Sequence, residues 1–126
     1  MKIFDKFFRR NVKNNFSPMP SWEEVVAFMY DKYLDAFADE VVDVVYSKDK
    51  SMRYVVLKDE KGLLTFQIEA IYQFDEEEWK YICSNDDTLP AMWEPFRGKI
   101  GSSFFENIEE LFKEMKEEPE YKQYFE

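Results

Sequence analysis

From Leu64 to Phe74 the chain alternates. Leu64, Phe66, Ile68, Ala70, Tyr72 and Phe74 share one parity, and Thr65, Gln67, Glu69 and Gln73 fill the other. Period two predicts a strand with one face buried and the other at least partly wet. Two β-branched runs precede it, EVVDVVYS and MRYVVLKD, separated by the turns KDKS and DEKG. Both read as strands, and Gly62 suits the positive φ of a hairpin loop. A fourth run, EWKYICS, follows the turn DEEE and sets Trp79, Tyr81 and Cys83 on one parity, so it reads as the last strand. Connections this short favour antiparallel neighbours, because a parallel pair needs a crossover of about a dozen residues.

Elsewhere the period lengthens to three or four. Trp22, Val25, Val26, Met29, Tyr30, Tyr33, Leu34 and Phe37 predict a helix over 21–37, opened by Ser21 with Glu24 three residues on. Phe104, Ile108, Leu111, Phe112 and Met115 predict a second, opened by Ser103 and Glu106 and stopped by Pro119. The expected fold is α+β, a four-stranded antiparallel meander with N- and C-terminal helices packed on one face. A single domain spans 1–126, with a basic leader and linker over 1–20 and an acidic α+β body over 21–126. In the leader, Ile3, Phe4, Phe7 and Phe8 lie at helical spacing. One or two turns offer too little apolar area to anchor at a membrane alone, so packing on the core is the expectation.

Charge narrows the partners. The net charge is −10, distributed as +4 over residues 1–15, −9 over 16–102 and −5 over 103–126. An acidic body repels nucleic acid and anionic lipid and speeds encounter with a basic protein. Charges interrupt every hydrophobic run, no signal-peptide pattern is visible, and Cys83 is the only cysteine. A soluble chain in a reducing cytoplasm is expected.

Catalytic and cofactor chemistry finds little footing in the composition. There is no histidine, which removes the commonest general base and metal ligand, and one cysteine cannot build a zinc site. Cys83 reads as a small buried hydrophobe. Gly62, Gly98 and Gly101 make no phosphate-loop spacing, and in GKIGSS a helix cap explains Gly101 and Ser103. No cofactor, metal or catalytic residue is expected. The acids of DEEE and NDD keep a small carboxylate-dependent enzyme as a third reading.

One loop is anomalous. CSNDDTLPAMWEPFRG, residues 83–98, carries two prolines, yet Leu89, Met92, Trp93 and Phe96 stand among acids. Either these side chains fold back to cap the core, or Trp93 stands outward as a binding hot spot steered by Asp86, Asp87 and Glu94. With the DEEE turn, the candidate partner-binding residues are Asp75, Glu76, Glu77, Glu78, Asp86, Asp87, Trp93 and Glu94.

In overall character, with YQFDEEEWKY and DDTLPAMWEPF as the segments to compare, the chain resembles the immunity proteins of bacterial toxin systems. That resemblance implies a non-enzymatic inhibitor that occludes a basic, nuclease-like toxin. The alternative is a structural or regulatory adaptor acting as a homodimer.

Overall fold

The computed structural model describes residues 18–84, 91–98 and 103–126, with the backbone alone at 82–84. The leader helix expected near Ile3 to Phe8, the acids Asp86 and Asp87, the Gly101 turn and the Cys83 side chain lie outside the described residues. The elements are α1 (Trp22–Met29), β1 (Glu40–Tyr46), β2 (Met52–Lys58), β3 (Leu64–Gln73), α2 (Glu76–Ser84), β4 (Ala91–Pro95), α3 (Ile108–Glu117) and α4 (Pro119–Tyr124). The strands form one antiparallel sheet in the order β1-β2-β3-β4, and the fold class is α+β as expected. Contacts divide the chain into two compact units, residues 1–30 with 71–92, and residues 31–70 with 93–126.

In the first unit α1 opens as its sequence predicts. Ser21 Oγ accepts the Glu24 N–H at 3.2 Å, and Glu24 Oε1 accepts the Ser21 N–H at 3.1 Å. Val25 and Met29 are fully buried. The helix ends at Met29 rather than continuing to 37. Tyr30 turns to an extended ψ of 129°, and Asp31 and Tyr33 take positive φ, so the apolar spacing beyond Met29 carries no α-helix, only a 3₁₀ turn at Leu34–Ala36.

EWKYICS, expected as the fourth strand, is helical and lies within α2. Asp75 Oδ1 accepts the Glu78 N–H at 2.8 Å, and Glu78 Oε1 accepts the Asp75 N–H at 2.9 Å. This reciprocal cap satisfies two backbone donors at a helix start. Glu76, Glu77 and Glu78 then occupy the first turn, where carboxylates are favoured by the helix dipole. Trp79 is buried at 1% exposure and Tyr81 stands 70% exposed. Residues two apart share a face in a strand but lie roughly 200° apart on a helix, which accounts for that contrast.

The second unit holds most of the sheet. Val44↔Val55, Val45↔Tyr54 and Tyr46↔Arg53 pair β1 with β2, with a bulge between Val41 and Asp43 that leaves Val42 exposed. Met52↔Ala70, Tyr54↔Ile68 and Val56↔Phe66 pair β2 with β3. The period-two parity of β3 holds from Leu64 to Ala70, where Met52, Tyr54, Val56, Leu64 and Ile68 share a core with Leu111 and Met115 of α3; beyond it Ile71 is the buried residue, and Tyr72 and Phe74 are only partly covered. Tyr54 donates its hydroxyl to Glu118 at 2.8 Å, and burial followed by that bond pushes the phenol upward. The opposite parity departs from expectation: Arg53, Val55 and Leu57 are also buried, so both faces of β2 are removed from solvent.

The C-terminal helix begins later than expected. Residues 103–107 run outside the helix, with Phe105 and Leu64 exchanging two backbone hydrogen bonds of 2.8 Å, and Phe104 is exposed rather than part of an apolar stripe. Asn107, not Ser103, is the N-cap, accepting the Glu110 N–H at 2.8 Å. Pro119 acts as expected and then does more. It pushes Glu118 to an extended φ/ψ of −69°/140°, which ends α3, and it serves as the first residue of α4.

Candidate partner-binding surface

The candidate residues of the DEEE turn lie at the start of a helix, and the described ones of the loop, Trp93 and Glu94, lie in a strand. The DEEE acids form the first turn of α2. Asp75 and Glu78 are occupied by the cap, and Glu78 also accepts the Tyr72 hydroxyl at 2.6 Å. Their carboxylates are thus held in place by the fold. Glu76 pairs with Lys80 at 3.3 Å on the exposed side, one helical turn on, and Glu77 is exposed. Tyr81 follows Glu77 by four residues, so the two are neighbours on the helix surface. In the first unit an acidic helix start thus lies beside a phenol that is 70% exposed.

Tyr81 is the residue that sequence reasoning missed. Read as a strand, EWKYICS sets Tyr81 on the same side as Trp79, whereas the helix exposes it. The signal that finds it is D-x-x-E at Asp75 to Glu78, a helix cap that switches the period from two to 3.6.

The anomalous loop is β4 in its second half. Ala91 and Trp93 are buried, and Met92 and Glu94 are exposed, which is strand alternation. Pro95 stands at the strand's end, where a missing N–H costs nothing. Trp93 is only 7% exposed, which corrects its assignment as an outward hot spot: a bulky indole on the buried parity of a strand is core material. Glu94 keeps an exposed position on the same strand.

Around Trp93 the second unit assembles a polar cluster inside the protein. Arg53 of β2 is fully buried, and its Nε donates to Glu69 Oε1 at 2.8 Å, across the register pair Arg53↔Glu69. Glu69 is itself buried at 6% exposure, and Glu69 Oε2 lies 3.5 Å from Gln67 Nε2. The guanidinium carbon sits 4.1 Å from the centre of the Trp93 ring, a cation–π distance, and Tyr46 meets Trp93 edge-on at 6.4 Å between centroids.

At the β1–β2 turn, Asp49 accepts the Ser51 hydroxyl at 2.7 Å, the Ser51 N–H at 3.0 Å and the Ser47 hydroxyl at 3.0 Å. Slight burial acts upward, but these bonds favour the ionised form and hold the carboxyl below its ordinary range. The Asp49 bonds shape a hairpin rather than a reactive centre. Among the described residues no group of three His, Cys, Asp or Glu side chains is arranged to hold a metal ion. No described helix is long and apolar enough to cross a membrane.

No family model, curated protein or solved structure matches the chain.

Proposed function

We propose that the chain is a non-enzymatic protein-binding module that inhibits a basic, nuclease-like protein, as the resemblance to toxin-system immunity proteins implies, and that the outward side of α2 is its contact surface. The observation that carries this reading is the juxtaposition of Glu76, Glu77 and a 70% exposed Tyr81 on a helix whose start is fixed by the Asp75–Glu78 cap. Tyrosine supplies large contact area with few rotatable bonds and is enriched where interface energy concentrates, while acids around it steer a basic partner. A fixed helix start keeps the binding groups ordered before encounter, which lowers the entropy lost on binding.

A homodimer through the sheet edge has less support. The bulge at Val42 interrupts the register of β1, one of the two edge strands, and bulges of this kind oppose strand addition.

The test is capture of partners from the native cell extract at low and high salt. The retained protein is then purified and its association kinetics measured with the Glu76→Gln/Glu77→Gln and Tyr81→Ala variants. A basic protein released by salt supports the reading if it associates more slowly with the acid variant and is bound about thirtyfold more weakly by the tyrosine variant, the effect of a 2 kcal/mol hot spot. Recovery of the chain alone at both salts points instead to the adaptor.

A further inference from the structure

The Arg53 guanidinium carries five N–H donors. Among the described residues only Nε has an acceptor, Glu69 Oε1. Nη1 and Nη2 each expose less than 1 Å² and meet no hydrogen-bond partner. Four of the five donors of a fully buried guanidinium are therefore unmet. The neighbouring buried polar groups are treated differently: the Ser47 hydroxyl accepts from Met52 and the Tyr54 hydroxyl donates to Glu118. Among the described residues Thr65 Oγ1, on the same parity of β3 as Glu69, is also buried without a hydrogen-bond partner.

The unmet donors have a definite shape. Glu69 engages the Nε side and Trp93 packs a ring against the guanidinium, and the Nη1–Nη2 edge is the part with no hydrogen bond. That edge presents two parallel N–H bonds, spaced to match the two oxygens of a carboxylate. A water satisfies these donors one at a time, whereas a carboxylate takes both at once with charge-assisted bonds. We propose that Arg53, held by Glu69 and Trp93 within the second unit, heads a buried site for a small carboxylate. This inference is independent of the α2 surface and of any protein partner.

The experiment uses the full chain and records the Arg53 side-chain N–H and Trp93 indole N–H signals by NMR. Formate and acetate are titrated against sodium chloride at matched ionic strength, with phosphate as a second oxyanion. The expected result is a saturable shift of both signals with the carboxylates, smaller or absent with phosphate and chloride. It should vanish in Arg53→Met/Glu69→Met, which removes both charges together. Arg53→Lys, which keeps the charge and loses the fork, should weaken the response at least tenfold and serves if the double variant does not fold. Equal responses to formate, acetate and chloride, or the same saturable shift in either variant, would overturn the proposal in favour of buried water on Nη1 and Nη2.

Discussion

Trp93 is buried and Tyr81 is exposed, and a pair of single substitutions separates what each contributes to stability. Trp93→Ala should destabilise the fold by about 3–5 kcal/mol, the range for emptying a buried indole site, measured by denaturant unfolding. Tyr81→Ala should stay within about 0.5 kcal/mol of the parent in the same assay, because an exposed ring has little to lose on folding. Asp49 gives a pH-dependent test. Its folded pKa lies below the ordinary 3.8, so its contribution is complete above that value and disappears as pH falls through the folded one. Asp49→Asn should melt lower than the parent at about pH 7, and the two melting temperatures should converge by about pH 2. The opposite pattern, a gap that widens in acid, would assign the turn's stability to something other than the ionised carboxylate.

Elements are where caps and prolines decide. Asp75→Ala removes the side-chain acceptor for the Glu78 N–H, leaving that donor unsatisfied while Glu78 keeps its bonds to the residue 75 N–H and the Tyr72 hydroxyl, so it should cost about 1 kcal/mol, visible as a lower unfolding midpoint. If α2 carries the partner contact, the same variant should also slow binding, because Glu76, Glu77 and Tyr81 would no longer be held by a fixed start. The strands β2 and β3 are legible from the chain because their alternation and turns agree, with Gly62 at φ 85° closing the second hairpin as its sequence suggests. The helix α2 is not legible from periodicity, since Trp79, Tyr81 and Cys83 mimic strand parity over too few residues for the two periods to diverge. Local capping chemistry outweighs that alternation. For β4 the prolines mislead: Pro95 sits at a strand terminus, where its missing donor is harmless, and the buried parity of Ala91 and Trp93 spans only three residues. The end of α1 at Met29 is not legible in the sequence, because apolar spacing continues through Tyr33 and Leu34; in the fold Asp31 donates its N–H to the Tyr46 hydroxyl at 2.9 Å.

At the scale of the whole molecule, charge is the readable property and packing is not. A net charge of −10 predicts that association with a basic partner slows as salt rises, with the change in on-rate and little change in off-rate. Stopped-flow measurement across salt concentrations checks this. An off-rate effect instead would place the main charges in a desolvated contact rather than on its rim. The Arg53–Glu69 pair shows the limit of sequence reasoning. Both residues occupy the parity expected to be wet, so each reads as an ordinary surface charge. Only the cross-strand register and the cover over both faces of β2 reveal that they meet inside. The α2 acids, by contrast, were legible as a cluster even when assigned to the wrong element, because four consecutive acids stay together in any local conformation.

The bond between Tyr54 and Glu118 joins residues 64 positions apart, and it has a consequence during synthesis. The three strands β1 to β3 are complete by Gln73, yet the residues that cover Met52, Tyr54 and Val56 arrive with Phe105 to Phe125. At roughly 5–20 residues per second, the bare face of the nascent hairpins waits about 3–10 s for its lid. Over that interval the ribosome-bound chain presents a tyrosine, a methionine and a row of valine and isoleucine side chains to whatever is nearby. A stalled or truncated product lacking α3 and α4 should therefore bind a hydrophobic chaperone or aggregate, while the finished chain refolds unaided.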